Sequence, residues 1–457
     1  MYSRAFLVSN HHTCFAKTNY NLRPVVSIRK VSFSPYSEPS QPSFPLPHPF
    51  VAPRSRSATG YRASELVKTL AKQPGRTATP NIHPILQNTS LRLPPHLTRD
   101  QKNVLPQEFS QELSAIIQSF KAPIRYAIGY GSGVFPQKSY DSNKATPMLD
   151  FIFAVSHPSH WHSINLQHNP KHYALPFRWL GSAPVTWLQE KAPGAGVWFN
   201  VENEVNGKMI KYGVISIDTL CGDLLDWNTL YVSGRMQKPV YVIRDDARAR
   251  LAQQVNLASA LRTALLILPE NFTEQQLYMA ITGLSYTGDF RMKWGENPRK
   301  IENIVDRQVE HFRVLYRPLI QALSRNVSFA SEMTTSSNPK LQQNMESRSR
   351  AELLKKLPRG LKEKIETDYD QQWNLKLAKA TDGSSLINME EKLTSSDEMS
   401  LLVRMVSDDG FEQSLKRALS LIVGPSAFNQ SVKGIISAGP FKSIRYAIPK
   451  LVKRWLS

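Results

Sequence analysis

Phe109, Leu113, Ile116, Ile117 and Phe120 recur at steps of three and four residues, so 106–120 is predicted to form a helix with one buried stripe. The period then shortens. "IRYAIGYGSGVF" (124–135) reads as a strand, a Gly-Ser-Gly turn and then a second strand or helix. "MLDFIFAV" (148–155) is a short run of apolar, β-favouring residues and predicts an interior strand. "GVWFNVENEVNGKMIKYGVISI" (196–217) has two β-like arms around Asn206-Gly207, a pair suited to the positive-φ positions of a type I′ hairpin turn. A helix over 221–236 and a strand over 238–244 follow. Strands interleaved with helices make an α/β unit.

From about 247 the spacing becomes helical throughout, in "ARARLAQQVNLASALRTALLIL" (247–268), in 273–286 and in 298–323. The stretch 326–350 is rich in Ser, Asn and Gln and reads as a loop or linker. Helical character returns towards the C-terminus. The expected divisions are 1–100, 101–246, 247–325, 326–400 and 401–457.

Composition narrows the partners. The 457 residues are 41% hydrophobic, enough for real cores, and carry 57 Lys and Arg against 37 Asp and Glu, a formal charge of +20. Such an excess suits nucleic acid, nucleotide phosphates or an anionic membrane face without choosing among them. No segment approaches the roughly 18 consecutive apolar residues needed to span a bilayer. Of two cysteines, Cys14 and Cys221, only the second survives removal of the N-terminal region. Residues 1–60 hold seven Lys and Arg against the single acid Glu38, with many serines, the composition of an organellar transit peptide. "SPYSEPSQPSFPLPHPFVAP" (34–53) is proline-rich and reads as a tether or cleavage region.

The residues around the turn admit two readings. Gly131 and Gly133 lack the Cβ atoms that would hold a phosphate away from backbone N–H groups, and Ser132 adds a hydroxyl. Asp150, on a buried strand, would bring a carboxylate towards them, where Mg²⁺ can bridge it to triphosphate oxygens. The same residues also describe an ordinary hairpin with a glycine corner, and on spacing alone that reading leads.

The turn and its carboxylate strand resemble the nucleotidyltransferase superfamily of the polymerase β type. Further motifs follow in order: "WHSINLQHN…HY", "GAGVWFN", "KYGVIS", "LYVSGRMQKPV" and "LSYTGDFRMKWGENPRKIENIV". Together with "YGSGVFPQ" and "MLDFIFAV" they resemble the mitochondrial phosphatidate cytidylyltransferases of the translocator assembly and maintenance family, over roughly 106–323 and again over 400–457. The resemblance implies a nucleotidyltransferase domain, a helical winged-helix-like domain and a C-terminal amphipathic helix that binds membrane. It implies CTP and phosphatidate as substrates, Mg²⁺ or another divalent cation as cofactor, and CDP-diacylglycerol feeding cardiolipin synthesis. It places the enzyme peripherally on the matrix face of the mitochondrial inner membrane, against anionic lipids. Gly131, Ser132 and Gly133 would hold the triphosphate and Asp150 the metal, with Lys211, Arg235, Lys238 and Arg291 as phosphate contacts.

This chain departs from the superfamily pattern at Ile152, where a second carboxylate usually stands, and in its long spacer from Ser132 to Asp150. Asp223 is the candidate for the missing metal ligand, with a helix-cap role as the other reading. "LSYTGDFRMKWGENPRK" (284–300) reads as a basic loop in which Asp289 orients a cation. His157, His160, His162, His168 and His172 are irregularly spaced with no cysteine among them, so they read as a loop shaping the mouth of the site and not as a zinc site. No P-loop or Ser-His-Asp order is present. In 434–457, Ile444, Ile448, Leu451, Val452 and Trp455 can share one side, flanked by basic residues, the pattern of an interfacial helix. The alternatives are a nucleotidyltransferase acting on RNA and a non-catalytic import-assembly factor. The lack of RNP-like aromatic-basic interleaving argues against nucleic acid as a partner.

Overall fold

Among the described residues, the strands of the first half join one mixed sheet. The computed structural model describes residues 105–135, 147–294, 299–330, 337–380 and 395–439, all within one compact unit, Thr77–Ser457. The sheet contains β1 (Tyr126–Tyr130), β2 (Leu149–Val155), β3 (Trp198–Val205), β4 (Lys208–Ser216) and β5 (Val240–Arg244), in the order β3-β4-β2-β1-β5. β2 lies parallel to β4, and the other neighbours are antiparallel. β2 is buried along almost its whole length, as its continuous apolar run requires. The β3–β4 hairpin turns on Asn206 and Gly207 at φ 50° and 74°, the left-handed pair that this dipeptide favours.

The helix expected over 221–236 is broken. A helix runs from Ile217 to Asp226 and stops at Trp227, which is left-handed at φ 54°. The chain then loops to a single turn, Ser233–Met236. Trp227 Nε1 donates to Asn256 and Asn256 donates to the Ser233 carbonyl, so buried polar contacts to the following long helix, Ala247–Ile267, hold the loop.

The histidine-bearing stretch is helical and not a loop, running from Pro158 to His168. His162 is buried there, with Nδ1 2.8 Å from the Tyr173 hydroxyl and Nε2 2.8 Å from Gln189 Oε1. An amide oxygen only accepts, so Nε2 carries the proton and Nδ1 receives that of Tyr173. Burial pulls the imidazole down to about 4, against a small opposing pull from Gln189.

The second half buries a core of its own. Leu257, Leu261 and Leu265 meet Tyr278, Ile281, Phe312 and Tyr316, and helices from 347 onwards add Leu354, Ile365, Leu415 and Leu419. The stretch read as a linker contributes β7 (Val327–Phe329) and β8 (Lys340–Gln343), and β8 pairs with both β7 and β6 (Asn271–Thr273), in the order β6-β8-β7. Their alternating pattern is only three or four residues long, too short to stand out in a polar sequence. The last described helix, Phe411–Ala438, reaches back to the first sheet: Gln430 donates to the Val197 carbonyl at 3.0 Å.

Candidate active site

The register of three strands assembles the site. Tyr130 on β1 is paired with Asp150 on β2, and Asp150 with Lys211 on β4. Cross-strand partners share a face, so these side chains form one row, which ends at Val240 on β5. Lys211 Nζ lies 3.3 Å from Asp150 Oδ1 and 5.1 Å from the centre of the Phe199 ring. Burial pushes the Tyr130 hydroxyl up to about 12, with Lys211 opposing and Asp150 adding.

The two glycines of the turn serve different ends. Gly131 has φ +80°, and a Cβ placed on it would lie 3.4 Å from Asp150 Oδ2, so the turn closes directly over the carboxylate. A Cβ on Gly133 would stand 2.4 Å from the Met148 carbonyl oxygen, so this glycine is required by backbone packing against the start of β2. Ser132 between them is exposed.

Position 152 is structural. Ile152 follows Asp150 on the same face and is fully buried beneath the row. Its Cδ1 fills the space above Gly213, where a Cβ would come within 2.9 Å. A carboxylate there would be desolvated without a partner.

Asp223 organises the loop after its helix. Its two oxygens accept six hydrogen bonds, from the backbone N–H and hydroxyl of Thr229, from Leu230 and Val232 N–H, and from the N–H and hydroxyl of Ser233. The side chain is buried, and its charge is matched by these donors. That loop delivers Arg235, which stacks at 3.9 Å on the Tyr231 ring and donates to the Tyr231 carbonyl. Burial works against the Arg235 guanidinium, but the surrounding Tyr231, Tyr130 and Tyr286 hydroxyls hold its pKa above the usual arginine range.

A second loop docks on the first. A Cβ on Gly234 would lie 2.3 Å from Ser285 Cβ, and Lys238 Nζ bonds the Ser285 hydroxyl at 2.9 Å. Lys238 and Lys300 both lie 5.0 Å from the Tyr286 ring centre. Burial first, then the nearby Arg235 and Lys300 charges, pull Lys238 well below the usual lysine range. Asp289 grips Arg291 through Nε and a second nitrogen at 2.6 Å, orienting the cation. Burial would raise this carboxyl, but Arg291 outweighs it and holds it low. Gly288, at φ +81°, seats the loop on the Phe411–Ala438 helix, because a Cβ would come within 2.6 Å of Ser420 Cα.

Lys211, Arg235, Lys238 and Arg291 are therefore linked through shared tyrosines and mutual fields beside the Asp150 row. The tyrosines 130, 231 and 286 escaped the motif reading because phenols carry no spacing signature. Ile444, Ile448, Leu451, Val452 and Trp455 lie outside the described residues.

Whether Asp150 suits a divalent cation can be judged from its surroundings. Its Oδ1 is buried and, among the described residues, accepts no hydrogen bond but faces Lys211 as an ion pair, while Oδ2 faces the glycine turn. Among the described residues no three His, Cys, Asp or Glu side chains converge. A hard carboxylate with available lone pairs beside an anion-sized turn fits Mg²⁺, which commonly takes one or two carboxylates and completes its shell with substrate phosphates and water.

Known proteins carry the same arrangement of sequence. A family model described as "Phosphatidate cytidylyltransferase, mitochondrial" matches residues 113–453. A protein of that name from Schizosaccharomyces pombe is 39% identical over 372 residues, covering 79% of this chain and 88% of the relative. The Xenopus laevis protein of the same name is 37% identical over 341 residues, covering 74% and 93%. The Saccharomyces cerevisiae protein is 43% identical over a shorter 243 residues, 52% of this chain and 62% of the relative. The match runs through the glycine turn, the Asp150 strand and both cationic loops, and the chain belongs to the mitochondrial phosphatidate cytidylyltransferase family.

Proposed function

We propose that this chain is a phosphatidate cytidylyltransferase, joining CTP and phosphatidate into CDP-diacylglycerol with release of diphosphate. A phosphatidate oxygen attacks the α-phosphorus of CTP, the bond from that phosphorus to the bridging oxygen breaks, and diphosphate leaves. The observation that carries this reading is the Tyr130–Asp150–Lys211 row closed by the Gly131 turn, with Arg235, Lys238 and Arg291 beside it.

Gly131 and Ser132 offer backbone and hydroxyl donors to the triphosphate, and Gly133 keeps that turn tight against β2. Lys211, Arg235, Lys238 and Arg291 neutralise the phosphates of CTP and the lipid head group. An ionised phosphate needs no strong general base, so positioning and charge compensation account for the acceleration. Asp150 would hold Mg²⁺, which supplies Lewis-acid polarisation of the phosphoryl oxygens. The Asp223 role we infer is to shape the loop that presents Arg235.

The mixed sheet with a glycine turn and carboxylate strand supports a polymerase β type nucleotidyltransferase domain over 101–246. The helices Ala247–Ile267, Glu274–Leu284 and Val309–Ala322 beside the β6-β8-β7 sheet support a winged-helix-like domain over 247–325, with β7 and β8 carrying it on to 343. Relatives named as mitochondrial, and a serine-rich basic N-terminus, support import through a transit peptide within 1–100. Among the described residues no helix is long and apolar enough to cross a membrane. A peripheral position on the matrix face of the inner membrane fits that, with Ile444, Ile448, Leu451, Val452 and Trp455 inserting among anionic lipids.

The test is labelled CTP, Mg²⁺ and phosphatidate vesicles with the purified mature protein, alongside Asp150→Asn. Wild type forms labelled CDP-diacylglycerol, and the variant loses roughly 10²-fold or more in turnover while keeping its fold. Absence of product from wild type sinks the reading, and an active Asp150→Asn sinks the metal assignment. Transfer of the label to RNA would favour the alternative substrate class.

A further inference from the structure

The helix Phe411–Ala438 changes character along its outer side. Its inner stripe, from Leu415 to Gln430 and Lys433, is buried throughout. On the outside, Glu412, Gln413, Lys416 and Arg417 occupy the first turns, as expected of a solvated face. From 421 to 439 every exposed position is apolar: Leu421, Pro425, Phe428, Val432, Ile435 and Ile436. Phe428 and Ile435 are 57% and 58% exposed. A helix apolar on both sides leaves this second face exposed, and Phe428 there meets the ring of Phe290, itself exposed, at 5.9 Å.

A second segment lies at its end. Lys433 Nζ bonds the Gln189 and Ala192 carbonyls at 3.2 and 2.9 Å, and a Cβ on Gly439 would sit 3.7 Å from Ala174 Cβ. That contact brings the helix terminus to the short helices Leu175–Leu180 and Ser182–Glu190. They expose Leu175, Leu180, Trp179 and Trp187, the tryptophans at 84% and 59%. Exposed Lys171, Arg178 and Lys191 stand around them, with Glu190 the acid nearby.

We propose that the two segments form one membrane-docking surface, distinct from the 444–455 segment, that seats the enzyme on an anionic bilayer. This rests on the lipid-substrate reading above. Three features select a bilayer. Tryptophans beside a cationic rim match the chemistry of an anionic headgroup interface. A second copy meeting the same face would set that rim against itself. The chain leaving Gly439 continues into Lys442, Arg445, Lys450, Lys453 and Arg454, extending the same charge. A lipid enzyme gripping at two segments gains orientation as well as affinity, because the second contact is made at high effective concentration.

The test uses the full mature chain and co-sedimentation with phosphatidylcholine vesicles, with and without phosphatidate. Trp179→Ser with Trp187→Ser is expected to weaken partition onto the anionic vesicles about tenfold or more. Val432→Ser with Ile435→Ser, on the other segment, is expected to do the same. Turnover on short-chain phosphatidate below its micellar concentration stays at the wild-type rate in both. Partition within twofold of wild type in both variants overturns the proposal. So does complete loss of binding on ending the chain at Gly439, which would make the later segment the sole anchor. A concentration-dependent dimer that the substitutions abolish, with vesicle binding intact, would assign the face to a second copy instead. Failure of wild type on the short-chain substrate would fault the catalytic reading and leave the vesicle result standing by itself.

Discussion

Replacing Asp223 by asparagine separates a loop organiser from a metal ligand. Asp223 Oδ1 accepts from the N–H groups of Thr229 and Leu230, and Oδ2 from those of Val232 and Ser233, with one hydroxyl on each side. An asparagine amide presents one oxygen and one NH₂. The Thr229 and Ser233 hydroxyls can turn to accept, but backbone N–H groups cannot. Either orientation of the amide therefore leaves two backbone donors facing an NH₂ in a buried site. At roughly 1–3 kcal/mol for each unsatisfied buried group, the substitution costs about 2–6 kcal/mol. Thermal unfolding without metal should fall by roughly 5 °C or more. Removing a metal ligand has the opposite signature, because a carboxylate held for a cation is relieved by neutralisation when the cation is absent. The second measurement is the Mg²⁺ concentration for half-maximal turnover well below the variant's melting temperature, which should match wild type. A variant that melts within about 1 °C of wild type, yet needs much more Mg²⁺, would refute the reasoning.

Gly133→Ala, pressed against the Met148 carbonyl at 2.4 Å, should destabilise by about 1–3 kcal/mol in urea titrations; Gly131→Ala, at φ +80°, should cost about 1–2 kcal/mol as well and, lying over Asp150, should lower turnover at temperatures where it is folded, so wild-type turnover in Gly131→Ala would contradict the turn described. Buried His162 titrates at about 4, below its ordinary value of about 6.5, so the unfolded chain takes up its proton first. Its contribution is present above pH ~6.5 and is lost as pH falls towards 4, by up to about 3 kcal/mol, a slope in urea-derived stability that His162→Gln should remove. Burial, Arg235 and Lys300 hold the Lys238 pKa low, and the negative charge of an arriving triphosphate should raise it. CTP affinity should therefore weaken as pH rises through that pKa, a dependence measured by titration calorimetry across pH that Lys238→Met should flatten.

Local chemistry alone determined several elements. Asn206-Gly207 specified a hairpin because few other pairs accept two positive φ angles, and the run around Asp150 specified an interior strand because only a strand buried on both faces tolerates it. The motif order carried the family. The strands β7 and β8 and the break at Trp227 were hidden, since the small sheet is anchored by β8 on distant β6 and the break by Asn256. The site divides in the same way. Gly131, Asp150 and Lys211 could be named from sequence, but their convergence is a matter of register: Tyr130 opposite Asp150, and Asp150 opposite Lys211. The two glycines looked equivalent until the fold placed a carbonyl against one and a carboxylate over the other. Asp223 looked like a spare acid until six donors closed around it. A sequence states which groups are available, whereas the role of a charge depends on what surrounds it, and only the tertiary structure sets those neighbours.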